Sequence, residues 1–215
     1  MATSLKSIKN RFLLRVSTAD GAFHRHLVEP STKFRTHRFA LQEGLVSLLW
    51  QTWCTFCRDV VIASARSALT DSGAITSSPY SGNNEKEVAY VARKVARGER
   101  VTSIREISGS YLEPTWGDPA KLNSIITGLG SSNSPALLSA FGVSTRIQDL
   151  QMCRNTCAHL NGENITIMQR AKVRYNSTRM QHPSDFIFWE DPLTQDFVWR
   201  SWIDEMEIIA AFATQ

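Results

Sequence analysis

The chain has 215 residues, 42% of them hydrophobic and 20% charged, with a net charge of +4. That length is ample for one domain with a core, and the composition is that of an ordinary soluble chain. No apolar run approaches the ~18 residues that span a bilayer. Four cysteines are too few for a disulfide scaffold and point to a reducing, cytoplasmic setting.

The charge is unevenly placed. Residues 1–38 carry eight Lys or Arg against Asp20 and Glu29, a basic N-terminal arm without steady periodicity. It has no continuous hydrophobic segment like that of a signal peptide, and its two acids argue against a transit peptide. Leu5 to Leu14 is expected as a short helix. Pro30, Ser31 and Thr32 mark a turn, with Thr32 or Thr36 capping the next helix. Residues 39–215 are expected to form a single helical domain.

Residues 38–70 make the strongest helix. Leu41, Leu45, Leu48, Leu49, Thr52, Phe56 and Val60 form one stripe, and Val46, Trp50, Trp53, Cys57 and Val61 form a second beside it. So wide an apolar surface belongs to a central helix, with Trp50 and Trp53 as core anchors. Residues 71–84 are a loop by composition. Glu85 to Arg97 is a helix with Val88, Val91, Ala92 and Val95 inward, ended by Gly98. Residues 99–120 lack helical period; Tyr111 and Trp116 lie there and are expected to cover the core. Asp118 caps a helix from Ala120 to Leu129, with Pro119 at its first turn and Gly130 at its end. Ser134 caps a short helix, Pro135 to Phe141.

Ser144 or Thr145 then opens a helix through Leu160. Ile147, Leu150, Cys153, Cys157 and Leu160 form its buried seam. Asn155 and His159 are one turn apart on the opposite side, with Arg154 on the shoulder. Asn161-Gly162 breaks the helix, and another runs from about Glu163 to Tyr175. Residues 176–192 are turn-rich, with short extended pieces at Asp185–Glu190 and Asp196–Arg200. Ser201 to Phe212 closes the chain as a helix with Trp202, Met206, Ile209 and Ala210 or Ala213 inward. The fold class is therefore mainly α, a helical bundle with long loops and short strands near the C-terminus.

A guanidinium, an amide and an imidazole left outside a core suit phosphodiester chemistry. Arginine's planar fork matches phosphate oxygens, and histidine exchanges protons near neutral pH. The run Arg154-Asn155 with His159 resembles the Arg-x4-6-His signature of the HEPN superfamily, including the polar residue after Arg and Ala158 before His. The resemblance implies a HEPN-like bundle that dimerises so that two Arg–Asn–His sets line one cleft. It implies a metal-independent endoribonuclease without cofactor, with Arg154, Asn155 and His159 as catalytic residues. Such proteins act as toxins or antiviral-defence effectors, with an antitoxin or defence-system protein as partner. Where nucleotidyltransferase-controlled members place a Tyr two positions after the His, this chain has Asn161.

The basic residues Arg58, Arg170, Lys172 and Arg174 are candidates for RNA contact. An alternative from another class is a non-catalytic HEPN-like module that binds RNA or protein. Another is structural zinc on Cys54, Cys57, Cys153 and Cys157, since two close cysteine pairs can make a tetrahedral site. Against zinc, both pairs lie on or beside apolar stripes inside strong helices, where cysteine acts as a small hydrophobe.

Overall fold

Leu5, Ile8, Phe12, Val16, Ala19 and Phe23 recur every three or four residues. In the computed structural model of the chain, which describes residues 2–28, 35–142 and 144–215, they are the buried edge of helix α1 (Leu5–Val28). The helix is longer than the short one expected over Leu5 to Leu14. The apolar stripe is narrow, about one residue per turn, but it is fully buried, and the Lys and Arg residues occupy the other faces. The turn expected at Pro30–Thr32 lies outside the described residues, and Thr36 is inside helix α2 (Arg35–Ala65) rather than at its cap.

The protein is mainly helical, as expected. Its contacts divide it into two compact units: Met1–Phe12 with Trp53–Ser144 and Ile208–Gln215, and Leu13–Thr52 with Thr145–Glu207. Helices α1 and α2 each run from one unit into the other, as does α8 (Val198–Ala213).

In the first unit, β1 (Thr3–Ser4) pairs in parallel with β2 (Ala68–Leu69), and α3 (Glu85–Ala96) packs on α4 (Pro119–Leu129), which packs on α5 (Ser134–Gly142). Asn84 and Glu87 form a reciprocal capping box at the start of α3. Asp118 caps α4 through the Ala120 and Lys121 amides, with Pro119 at the first turn. Gly130 ends α4 in the left-handed region, at φ 57°, where a side chain would be strained. Within α4, a Cβ on Gly128 would collide with both γ-methyls of Val95, so glycine sets the close approach of α3 and α4. Trp53, Phe56, Val60 and Val61 of α2 are buried here, and Phe12 stacks on Phe56 at 4.3 Å.

In the second unit, α6 (Thr145–Ala158) is followed by α7 (Gly162–Arg170), a 3-10 turn (Ala171–Arg174) and a second 3-10 segment (Pro183–Phe188). A short antiparallel pair, β3 (Glu190–Asp191) and β4 (Asp196–Phe197), leads into α8. The core is aromatic: Phe23, Phe186, Trp189, Trp199 and Trp202 are sealed from solvent, and Phe23 stacks on Trp199 at 4.9 Å. The extended pieces expected here are shorter than predicted, and the first is mostly 3-10 helix. Asp185 accepts from the His182 amide while the His182 ring accepts from the Ser184 amide, which fixes that turn.

Candidate functional site

Helix α6 presents the Arg154–His159 run. Ile147, Leu150 and Cys153 are buried as the spacing predicts. Beyond Cys153 the seam departs from the expectation. Thr156 is buried in place of Cys157, and Leu160 is 63% exposed. The reason is the helix end: α6 stops at Ala158, so Leu160 is no longer carried round to the core.

The last turn keeps Asn155 and His159 in register, because the His159 amide donates to the Asn155 carbonyl at 2.9 Å. The His159 residue is exposed, while Arg154 and Asn155 are half-buried. Arg154 Nη1 donates to Asn155 Oδ1 at 3.1 Å. The Asn155 amide thus braces the guanidinium, rather than the imidazole beside which the helical spacing sets it.

Asn164, which no sequence pattern singled out, locks the corner after His159. Its amide nitrogen donates to the His159 carbonyl at 2.9 Å, and its own backbone N–H is capped by Asn161 Oδ1 at 2.8 Å. Thr156 Oγ1 reaches the Asn164 carbonyl at 3.4 Å. The Asn161-Gly162 helix break, followed three residues after Asn161 by a second asparagine, was the available signal: a cap needs an amide three residues on to receive.

A polar network anchors the first half of α6. Asp149 is 3% exposed, accepts the Tyr175 hydroxyl at 2.5 Å and pairs with Arg174. Arg146 donates to the Tyr175 hydroxyl at 3.0 Å and pairs with the buried Asp191 at 2.5 Å. Burial, followed by the Asp149 carboxylate, pushes the Tyr175 phenol up to about 12. Arg174 is therefore tied to Asp149, whereas Arg170 and Lys172 stand exposed on the same stretch. Arg58 belongs to the other unit, where Glu113 holds it through Nε at 2.7 Å and Nη2 at 2.9 Å, and Glu85 through Nη1 at 2.7 Å.

Glu205 of α8 caps α6 by accepting from the Ile147 amide at 2.8 Å. Burial holds its carboxyl above the usual range despite that bond. A carboxyl raised in the folded state contributes stability that is full below the unfolded value and lost as pH rises through the folded one. Glu205→Gln keeps an acceptor and removes the buried charge. It is expected to raise the Tm at pH 7 and to leave it unchanged near pH 4, the ordinary glutamate range of about 4.3. An equal shift at both pH values, measured by thermal unfolding, would contradict the assignment.

None of the four cysteines forms a disulfide. Cys153 and Cys157 are thiol neighbours on α6. That contact and burial push the Cys153 thiol well up, and burial does the same for Cys57. Raised thiols are poor nucleophiles and poor metal ligands. Among the described residues no three His, Cys, Asp or Glu side chains are grouped to hold a metal ion, which leaves the zinc alternative on Cys54, Cys57, Cys153 and Cys157 without a ligand set. No helix among the described residues is long and apolar enough to cross a membrane. Tyr111 is 84% exposed, contrary to its expected role over the core, whereas Trp116 is buried and donates to Glu113 at 2.7 Å.

Against known proteins, no family model matches the chain, and no curated protein or solved structure matches it either.

Proposed function

We propose that this protein is a HEPN-type, metal-independent endoribonuclease, serving as a toxin or antiviral-defence effector. The observation that carries the reading is the end of α6. A guanidinium braced by Asn155 lies there five residues before an accessible imidazole, on a corner locked by Asn164. Their residue types and spacing are those of the Arg-x4-6-His signature, and a mainly helical fold agrees with it.

In this reading the RNA 2′-oxygen attacks the adjacent phosphorus and the 5′-oxygen leaves. His159 takes the 2′-hydroxyl proton, and His159 of a second copy protonates the leaving oxygen. Arg154 stabilises the charge that grows on the phosphoryl oxygens. The nucleophile is internal to the RNA, so no metal-bound water is required. Arg170 and Lys172 supply positive charge for the strand close to the motif in sequence.

The purified chain is expected to cut single-stranded RNA in excess chelator, leaving 2′,3′-cyclic or 3′-phosphate and 5′-hydroxyl ends, and to spare DNA of the same sequence. RNA bound but uncut would favour a non-catalytic binding module. Cleavage abolished by chelator would rule the mechanism out.

A further inference from the structure

We propose that a cleft in the first unit binds a nucleoside monophosphate. The cleft has a volume of about 540 Å³ and is walled by the start of α1, the last turns of α2 and the Ser81–Glu85 stretch. That volume is in the range of ligand pockets, roughly 300–1,000 Å³, and far exceeds what a bare phosphate needs. The inference is independent of the ribonuclease reading, since none of these residues belongs to the motif.

Two arginines at the cleft are available to an anion. Arg11 is exposed, and among the described residues its one ion pair is with Asp59 at 3.8 Å. Arg66 gives Nε to the Asn83 carbonyl at 3.1 Å, and its terminal nitrogens make no further hydrogen bond among the described residues. Arg58 also lines the cleft, but Glu85 and Glu113 hold it as a fixed wall. The carboxylates of Asp59 and Glu85 would repel a ligand made only of phosphate. They suit one that also carries hydroxyl or amine donors, such as a ribose and a base. Ala2 and Ala63, which are exposed and half-buried, give the cleft an apolar side against which a base can lie, with Ile8 and Ile62 buried behind it.

Ser67 is the second, independent observation. It follows the end of α2 with φ 75°, where glycine is the unstrained choice and a serine side chain costs stability. Ser67 lines the cleft, and its hydroxyl makes no hydrogen bond among the described residues. A residue held in a strained conformation with an unused hydroxyl at a cavity fits ligand contact better than fold maintenance.

Calorimetry of the full chain with AMP, GMP, CMP and UMP tests this, with inorganic phosphate and adenosine as separate arms. At least one mononucleotide is expected to bind about tenfold or more tighter than either fragment, because two sets of contacts act together. Arg11→Ala and Arg66→Ala are each expected to weaken binding about tenfold by removing a charge-assisted bond. Ser67→Gly is expected to weaken it about threefold while holding or raising the Tm, as relief of left-handed strain requires. Arg11, Arg66 and Ser67 contribute little to the core, so all three variants are expected to fold. No binding by any of the four nucleotides overturns the proposal. So does binding that all three substitutions leave intact, or binding that His159→Ala abolishes, which would place the nucleotide at the motif instead.

Discussion

His159→Ala is expected to lower RNA cleavage by about three orders of magnitude, the usual loss when a positioned acid–base group is removed. Arg154→Ala is expected to cost about 10²- to 10³-fold, as for a lost transition-state charge donor. The two differ in what else they disturb. His159 is exposed, so its replacement should leave the Tm unchanged. Arg154 is half-buried and bonded to Asn155, so its replacement also frees that amide. Asn155→Ala leaves the guanidinium in place but unbraced, and about a tenfold loss is expected, carried by kcat rather than KM. Single-turnover cleavage of one labelled RNA, with thermal unfolding of each variant, reads these effects. Wild-type rates in both His159→Ala and Arg154→Ala would end the ribonuclease reading. Equal collapse of activity and Tm in all three would show a structural role instead.

The placement of Asn155 and His159 on one side of α6 was legible because local sequence sets it. Asn155 and His159 fall one turn apart on any helix, and Ile147, Leu150 and Cys153 fixed which side the core would take. The end of the helix was less legible. Leu160 continues the apolar spacing, but the Asn161-Gly162 break takes effect two residues earlier, and a stripe has no meaning once the helix stops. Helix α1 was obscured for the opposite reason. Its apolar residues keep a regular three-and-four spacing, but they are outnumbered by basic and polar neighbours, and one buried residue per turn was enough to seat it. The ion pairs of Arg58 with Glu113 and Arg174 with Asp149 span 55 and 25 residues, and no periodicity announces such contacts. Arginines chosen for RNA by local charge alone were therefore partly those the fold uses for itself.

The largest stability effect is expected at one of those hidden contacts. Asp149→Ala is expected to destabilise the protein by about 2–4 kcal/mol. Breaking a buried ion pair costs roughly 3–5 kcal/mol, and the half-exposed Arg174 recovers part of that in water. The Tyr175 hydroxyl loses its acceptor, while Arg146 keeps Asp191. Tyr175→Phe removes two hydrogen bonds, the one the hydroxyl gives to Asp149 and the one it accepts from Arg146, and leaves the Asp149–Arg174 pair, so about 1–2 kcal/mol is expected. The pH dependence separates this account from simple loss of packing. A phenol whose folded value is raised contributes stability that is full below its unfolded value, about 10, and is lost as pH rises through about 12. The gap between wild type and Tyr175→Phe in urea unfolding should therefore be constant from pH 7 to about 9 and shrink above it; a gap unchanged at pH 11 would overturn the raised phenol as the source of the difference. Because Asp149 lies on α6 five residues before Arg154, the same substitutions bear on the motif. If the network holds α6 in register, Tyr175→Phe should lower kcat for RNA cleavage at temperatures where the protein is still fully folded. Unchanged kcat there would make the network a foundation of the fold with no part in positioning the motif.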